Sequence, residues 1–167
     1  MRLKQLLTEI VPDDLDRLPD QDIVGVTADS RKVTPGSIFV AVRGETVDGH
    51  NFLAQAVGRG AVALVGEAPD PQLGVPYLRR PDTRLALAQL AAAWYGYPAR
   101  KLVMIGVTGT DGKTTTCHLI YHILRGGGLR PGMITTVNAL IGDEALDTGF
   151  HVTTPEAPDV QRYLAQM

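Results

Sequence analysis

Short apolar runs alternate with helix-like patterns along the first half of the chain. Helical spacing of apolar positions predicts helices over residues 51–60 and 83–96, and a short amphipathic helix within residues 1–15. Four runs rich in Val, Ile, Ala and Leu predict β-strands at 23–28, 37–42, 61–66 and 75–80. Strands that alternate with helices predict an α/β fold built on a largely parallel sheet.

A glycine and a proline in the stretch YGYPARK, residues 95–101, predict a boundary between a first domain, 1–98, and a second one, 99–167. The second domain begins with a predicted strand, 101–107, a glycine-rich loop and a helix from 113 to about 125. There follow a predicted strand over 133–142, a turn over 142–147, and a helix with Thr154 as N-cap and Pro155 at its first position. Two or three strands are too few for a complete nucleotide-binding sheet. We therefore expect a truncated P-loop α/β domain.

The overall composition narrows the class of protein. With 44% hydrophobic residues and a formal charge of −2, the 167-residue chain has the balance of a soluble globular protein and lacks the basic excess of nucleic-acid-binding proteins. Its single cysteine, Cys117, fits a reducing compartment and a packing role. No secretory signal or membrane-spanning apolar run is evident, so the sequence predicts a cytoplasmic protein without membrane or nucleic-acid partners.

The loop between the predicted strand 101–107 and the next helix carries the chemistry of a phosphate site. Gly106, Gly109 and Gly112 recur at every third position, and glycine lets a backbone turn tightly and approach an anion closely. Lys113 then supplies a positive charge, and Thr114 a hydroxyl suited to Mg²⁺. A helix N-terminus behind such a loop attracts phosphate, so the stretch predicts a nucleotide-binding loop.

Two other interpretations of this loop compete with a phosphate-binding site. The strict pattern of glycine, four residues and Gly-Lys-Thr requires glycine at position 107, where the chain has Val107, so the loop could be an ordinary turn with an incidental lysine. A small P-loop kinase or GTPase would also place a lysine here, but it requires a later strand with a metal-binding aspartate. The strand, loop and helix in sequence favour the phosphate site.

The segment TGTDGKTTT, residues 108–116, resembles the ATP loop of the Mur ligase family, which usually has Asn where this chain has Asp111. The resemblance implies that ATP binds here and that Lys113 is the catalytic residue, neutralising charge on the transferred phosphoryl group. Thr114 is implied as a ligand of Mg²⁺. The implied ATP-binding residues are Gly109, Thr110, Asp111, Gly112, Lys113, Thr114 and Thr115.

Residues 29–65 look like the first domain of the same family, which holds the UDP part of a nucleotide-sugar substrate. On the residues alone, the polar positions after the predicted strands would be ordinary turns. The likeness implies substrate contacts from Ala28, Ser30, Glu45, Thr46 and Val47. It also matches an Asp-Gly-His motif at residues 48–50, whose role we expect to be mainly structural.

The last fifteen residues, TTPEAPDVQRYLAQM, are similar to a Thr-Thr-Pro-Glu segment found in members of the family that add a diamino acid. There Thr153 and Thr154 are implied to bind the muramoyl-peptide substrate. The family often has Asn at the position of Val152, so one polar contact is missing.

The resemblance implies an ATP-dependent amide-bond ligase that adds meso-diaminopimelate or lysine to UDP-N-acetylmuramoyl-L-alanyl-D-glutamate through an acyl phosphate. Its partners would be small molecules only, and we expect a monomer. Because the family's remaining catalytic residues lie further along, we expect this chain alone to be inactive. The alternatives are the family member that adds D-alanyl-D-alanine and a non-catalytic UDP-sugar-binding module.

Two histidines four positions apart, His118 and His122, could share a metal ion on the helix after the loop. No third ligand is evident, so a solvated helix face is the expected interpretation. The apolar face of that helix is predicted to run through Leu119, Ile120, Ile123 and Leu124.

Overall fold

The computed structural model describes residues 1–8, 10, 15, 18–44, 47–142, 144–147 and 155–167. These residues group into two compact units, Met1–Trp94 and Tyr95–Met167. The division falls four residues before the predicted boundary at 98/99 (98 − 94 = 4), and the function attached to each predicted domain stays a prediction.

A four-stranded parallel sheet forms the centre of the first unit. Its strands lie in the order β1-β2-β3-β4 and are all parallel to their neighbours, which confirms the predicted α/β class. The four strands are β1 Gly25–Thr27, β2 Ser37–Val40, β3 Ala63–Gly66 and β4 Tyr77–Arg79. Each is shorter than the apolar run that predicts it, because the ends of those runs continue into loops.

Both faces of this sheet are covered, as a parallel sheet requires. On one face Phe39, Ala41 and Leu64 pack with Leu53 and Ala56 of helix α2, Leu53–Gly58. Side chains alternate along a strand, so Ile38 and Val40 point to the opposite face. There helix α3, Thr83–Trp94, lies against β1, β2 and β3.

The helices of the first unit are shorter than their patterns predict. The predicted helix 51–60 is a 3₁₀ turn, Gly49–Phe52, followed by α2, because the Asp48 carboxylate caps the turn at its start. The N-terminal helix α1 covers only Leu3–Leu7, whose three buried leucines pack towards α3. Residues after Thr8 that the pattern included lie largely outside the described residues.

The second unit contains helix α4, Lys113–Gly126, and helix α5, Ala157–Gln166. Its three described strands form a separate antiparallel sheet in the order β5-β6-β7, Met133–Ile134, Asn138–Ile141 and Glu144–Asp147. Helix α4 ends close to the predicted position: Gly128 adopts a φ of +83°, and the Leu129 amide donates a hydrogen bond to the Leu124 carbonyl oxygen at 3.1 Å.

The prediction of a strand over residues 101–107 is wrong. The 3₁₀ turn Pro98–Lys101 occupies its start, and residues 103–108 have no regular secondary structure and no ladder partner among the described strands. Val103 is 94% exposed, and Met104 and Ile105 are more than half exposed. An isolated strand has no hydrogen-bonding neighbour to hold it, so an apolar run alone does not form one.

The prediction of a single strand over residues 133–142 is also wrong, because this segment forms a hairpin. The Thr135 hydroxyl accepts hydrogen bonds from the Val137 and Asn138 amides at 3.3 Å, which folds the chain back on itself. The predicted turn over 142–147 is correspondingly strand β7 after Gly142. The first correction follows from a side-chain-capped turn inside an apolar run. The second follows from the pairing of β7 with β6, a partner that the sequence pattern does not show.

The apolar face predicted for α4 is only half right. Ile120 and Leu124 are partly covered, whereas Leu119 is 60% and Ile123 71% exposed, because α4 packs against β5 on the other side. The final helix, α5, begins at Ala157 with Pro158 in its first turn, so Pro155 precedes it. Thr154, predicted as its N-cap, lies outside the described residues.

Within the described part of the chain, no helix has both the length and the hydropathy required to cross a bilayer.

Candidate functional site

The glycine-rich loop of the second unit leads directly into α4. Gly109 has a φ of +152° and Gly112 a φ of +76°, a left-handed conformation that side chains disfavour. Helix α4 begins at the next residue, Lys113, and the Thr116 amide already bonds to the Gly112 carbonyl oxygen at 2.9 Å. The loop therefore ends at the exposed N-terminus of a fourteen-residue helix, where free amides and the helix dipole favour an anion.

The ammonium group of Lys113 lies over this loop. Its Nζ donates hydrogen bonds to the carbonyl oxygens of Gly109, at 2.8 Å, and Thr110, at 2.9 Å. The side chain therefore folds back over the backbone that precedes it rather than extending into solvent. Thr110, Asp111 and Thr115 are exposed around it. An anion seated in the loop would meet this ammonium group directly.

A second hydroxyl lies beside that of Thr114. The Oγ1 atoms of Thr114 and Thr136 are 3.4 Å apart, and both residues are partly buried. Thr136 sits in the hairpin turn between β5 and β6, so this contact ties the first turn of α4 to the antiparallel sheet. The sequence pattern does not single out Thr136, because it predicts one continuous strand over residues 133–142.

In the first unit, polar residues follow the carboxyl end of β1. Ala28 is half-buried and Ser30 is buried, at 9% exposure, in a 3₁₀ turn, Ser30–Lys32. Asp29 fixes this turn by accepting a hydrogen bond from the Arg31 amide at 2.9 Å. The guanidinium of Arg31 also donates two hydrogen bonds to its carboxylate, and this pairing holds the pKa of Asp29 below its ordinary value.

Two hydrogen-bonded segments follow β2 at the same end of the sheet. The Gly44 amide bonds to the Val47 carbonyl oxygen at 3.0 Å, and Arg43 and Asp48 pair as an isolated antiparallel bridge. Val47 is 51% exposed, so it is accessible at this edge of the sheet. Carboxyl ends of parallel strands are the side of a sheet where ligands bind, so Ala28, Ser30 and Val47 share a suitable edge.

Asp48 and His50, which the sequence marked as structural, lie within a network of charges. Hydrogen bonds from the His50 amide and ring hold the pKa of Asp48 below its usual range. Hydrogen bonds from the amide and hydroxyl of Thr83 lower the pKa of Glu67 in the same way. Arg43 and Glu67 carry no recognisable signal in the sequence, because the fold brings residues 43 and 67 together.

Four of the predicted substrate residues cannot be placed. Glu45, Thr46, Thr153 and Thr154 lie outside the described residues, as does Val152. The roles predicted for them therefore stay predictions, as do those of the residues that the structure does describe.

An apolar cavity of about 420 Å³ opens beside the loop in the second unit. The exposed run Val103–Ile105 lines it together with Ile120 and Leu124 of α4 and Leu164 of α5. Cys117 also contributes to its wall and is half-buried, consistent with the packing role predicted for it.

No cluster of three or more His, Cys, Asp or Glu side chains suited to a metal occurs among the described residues. His118 and His122 stack with their ring centroids 6.3 Å apart on α4, with His122 exposed. A magnesium ion in this part of the chain would therefore depend on hydroxyl groups, water and phosphate oxygens, a ligand set that Mg²⁺ accepts.

Comparison with known protein families assigns most of the chain. Residues 22–95 match the Mur ligase family catalytic domain, and residues 107–167 match the Mur ligase middle domain. The chain is 48% identical over 167 residues to the UDP-N-acetylmuramoyl-L-alanyl-D-glutamate–2,6-diaminopimelate ligase of Geobacillus thermodenitrificans (strain NG80-2), covering 100% of this chain and 34% of the relative. It is 46% identical to the UDP-N-acetylmuramyl-tripeptide synthetase of Roseiflexus sp. (strain RS-1), covering 100% and 33%.

Solved structures agree with these sequence matches. A UDP-N-acetylmuramoyl-L-alanyl-D-glutamate–2,6-diaminopimelate ligase superposes with a TM-score of 0.66 at 26% identity, over 99% of this chain and 33% of its own. MurF from Acinetobacter baumannii superposes with a TM-score of 0.61 at 30% identity, over 98% and 32%. The chain thus spans about a third of the length of the relatives it matches.

Proposed function

The chain belongs to the Mur ligase family, and from this premise we propose that it supplies the UDP-sugar-binding domain and the phosphate-binding loop of an ATP-dependent amide-bond ligase. The ligase joins a diamino acid to UDP-N-acetylmuramoyl-L-alanyl-D-glutamate. The observation that carries the proposal is the junction at Gly112 and Lys113, where a left-handed glycine, a helix N-terminus and an ammonium group meet.

In this proposal the loop binds the phosphates of ATP. The backbone amides from Gly109 to Thr115 surround them, a role for which the exposed loop and free helix N-terminus are suited. Lys113 exchanges its bonds to the Gly109 and Thr110 carbonyl oxygens for bonds to phosphate oxygens. Its charge then stabilises the negative charge on the phosphoryl group during transfer.

The described residues fit a magnesium ion in part. Thr114 would hold it through its hydroxyl in the first turn of α4. The Thr136 hydroxyl, whose oxygen lies 3.4 Å from that of Thr114, would offer a second oxygen. When bound, magnesium neutralises charge on the phosphates. The protein's own contribution at this point is to fix the hydroxyl against the hairpin turn.

The first unit is proposed to bind the nucleotide sugar. Ala28, Ser30 and Val47 lie at the carboxyl ends of β1 and β2, where the uridine diphosphate would contact them. Glu45 and Thr46 would complete that contact, and Thr153 and Thr154 would bind the muramoyl-peptide part.

The reaction accounts for joining these two functions in one chain. A carboxylate resists attack by an amine because its oxygen is a poor leaving group. Transfer of the γ-phosphoryl group of ATP to the D-glutamate carboxylate gives an acyl phosphate and ADP. The amine of the diamino acid then attacks the carbonyl carbon, phosphate leaves, and the amide bond forms with loss of a proton from nitrogen.

One alternative within the family has an observation behind it, since MurF structures resemble this chain. The solved structures do not separate the two reactions, since the MurF structure is 30% identical and the diaminopimelate ligase structure 26%. The curated relatives at 46–48% identity are named for the diamino acid reaction, and this favours it. We therefore propose a cytoplasmic enzyme acting on small molecules, with ATP, the UDP-linked dipeptide and a diamino acid as its substrates.

A chimera tests this proposal. Residues 1–167 replace the matching segment of the Geobacillus thermodenitrificans ligase, which is 48% identical. We expect phosphate release only when ATP, UDP-N-acetylmuramoyl-L-alanyl-D-glutamate and diaminopimelate are all present. A folded chimera that binds the UDP-linked dipeptide but never forms the amide would support a binding module and contradict the ligase.

A further inference from the structure

Four charged or titratable side chains meet where β2 and β3 of the first unit end. Arg43, Asp48, His50 and Glu67 belong to three separate segments of the chain, and the reaction proposed above assigns no role to any of them. His50 is the centre of the group, and its side chain is only 11% exposed.

Both ring nitrogens of His50 are engaged. The backbone amide of Glu67 donates a hydrogen bond to Nε2 at 2.8 Å, so Nε2 carries the lone pair. Nδ1 therefore holds the proton and donates it to Oδ1 of Asp48 at 2.6 Å. The imidazole thus links the loop after β2 to the end of β3 through two directed hydrogen bonds.

The network continues to the helix that covers the sheet. The carboxylate of Glu67 accepts hydrogen bonds from the amide and hydroxyl of Thr83, at 3.2 and 3.0 Å, at the start of α3. The guanidinium of Arg43 lies 3.5 Å from Asp48 and 3.4 Å from Glu67, bridging the two carboxylates. Asp48 is therefore held from three directions, by the His50 ring, the His50 amide and Arg43.

What this network holds in place is Val47. That residue directly precedes Asp48, its carbonyl oxygen accepts a hydrogen bond from the Gly44 amide, and it is 51% exposed. A half-exposed apolar side chain has few packing contacts to hold it, so its position depends largely on the backbone on either side of it. Asp48, the next residue along the chain, is held by the His50 ring, the His50 amide and Arg43.

We propose that His50 is a positioning residue of the substrate site: through Asp48 and Glu67 it fixes Val47 at the carboxyl edge of the sheet and so sets the affinity for the uridine diphosphate part of the substrate. This inference rests on the proposed function of the first unit. It gives the Asp-Gly-His segment a role in binding, beyond the stabilising one expected from the sequence.

Two substitutions test separately the two hydrogen bonds of the His50 ring, one to Asp48 and one from the Glu67 amide. In His50→Asn the side-chain amide can replace Nδ1 as donor to Asp48 but leaves the Glu67 amide without its acceptor. In His50→Gln the side-chain oxygen can replace Nε2 as acceptor but leaves Asp48 without the ring donor. His118→Asn, on α4 of the second unit, is the matched control.

The dissociation constants of UDP, the UDP-linked dipeptide and ATP are measured by calorimetry on the 167-residue chain, with its melting temperature alongside. We expect each His50 variant to bind UDP and the dipeptide about fivefold to tenfold more weakly. Such a change in the dissociation constant corresponds to the free energy of one lost hydrogen bond. ATP binding should stay unchanged in both, and His118→Asn should leave all three constants unchanged.

A double-mutant cycle with Val47→Ala then distinguishes positioning from general destabilisation. If His50 acts through Val47, the His50→Asn substitution weakens UDP binding by less than twofold once Val47 is alanine. Equal losses with and without Val47 would overturn the inference, as would His50 variants that lower the melting temperature but bind UDP like the parent. A parent chain that binds no UDP would instead overturn the proposed function.

Discussion

At the scale of single residues, the glycine spacing and the lysine at position 113 predicted a loop that leads into a helix, and the structure has that geometry; that an anion binds there stays a proposal. The structure adds a left-handed Gly112 and a Lys113 ammonium group bonded to two loop carbonyl oxygens. Those bonds were not predictable, because they depend on where the loop backbone turns. The Thr136 hydroxyl beside Thr114 was missed for a similar reason, since the turn that presents it interrupts an apolar run.

Asp111 gives a prediction at this scale, because its exposed carboxylate lies two positions from Lys113 in a loop proposed to hold a triphosphate. Asp111→Asn removes the repulsion and should tighten ATP binding by about twofold to fivefold at low salt. In 0.5 M salt, where the screening length falls to a few ångströms, the difference should shrink. Calorimetric titration of ATP measures the affinity at both salt concentrations, and Asp20→Asn, at another exposed aspartate, is the control. Equal ATP affinity of Asp111→Asn and the parent at low salt would contradict the predicted repulsion.

At the scale of elements, apolar runs predicted the four strands of the parallel sheet and their order along the chain. The same criterion failed for residues 101–107 and 133–142. A run becomes a strand only where another strand completes its hydrogen bonds, and residues 103–108 have none among the described strands. In the second run the Thr135 hydroxyl captures two amides and makes a hairpin. Periodicity shows neither effect, because one depends on distant partners and the other on a single side chain.

Gly49 tests how closely the loop after β2 must approach that strand. A Cβ at this position would lie 2.6 Å from the Val42 carbonyl oxygen and 2.8 Å from its amide nitrogen, and backbone atoms cannot give way as a flexible side chain can. Gly49→Ala should therefore destabilise the first unit by about 1–3 kcal/mol. Gly58→Ala, at the end of α2 with no atom within 4 Å of the added carbon, should leave stability unchanged or raise it slightly.

Urea unfolding followed by circular dichroism measures both variants. A Gly49→Ala protein as stable as Gly58→Ala would show that the loop can move away from β2 at little cost, contrary to the close packing described here.

At the scale of the whole molecule, the chain contains two units that differ in how completely their apolar residues are covered. The first has an apolar core on both faces of its sheet, whereas the second exposes large side chains along Val103–Ile105 and on α4. The glycine and proline between 95 and 101 predicted two domains, and the resemblance of three segments predicted the family. The sequence could not show the exposure, because it depends on which strands pair in space.

Limited proteolysis with thermolysin, which cleaves before large apolar residues, should therefore cut the second unit first. We expect early cleavage within Val103–Ile105, leaving a resistant fragment that contains Met1–Trp94. Mass spectrometry of the time course identifies the sites. Equal resistance of both units would contradict the exposed, unpaired state of residues 103–108.

The measurement that tests the central claim most directly is the rate of amide-bond formation by the chimera carrying Lys113→Ala, beside one carrying Lys101→Ala from the exposed end of a 3₁₀ turn. If main-chain amides and this ammonium group hold the phosphates of ATP, loss of Lys113 should slow the reaction about a hundredfold or more, while Lys101→Ala reacts at the parent rate. A Lys113→Ala chimera that forms the amide as fast as its parent would contradict the proposed phosphate site and the function built on it.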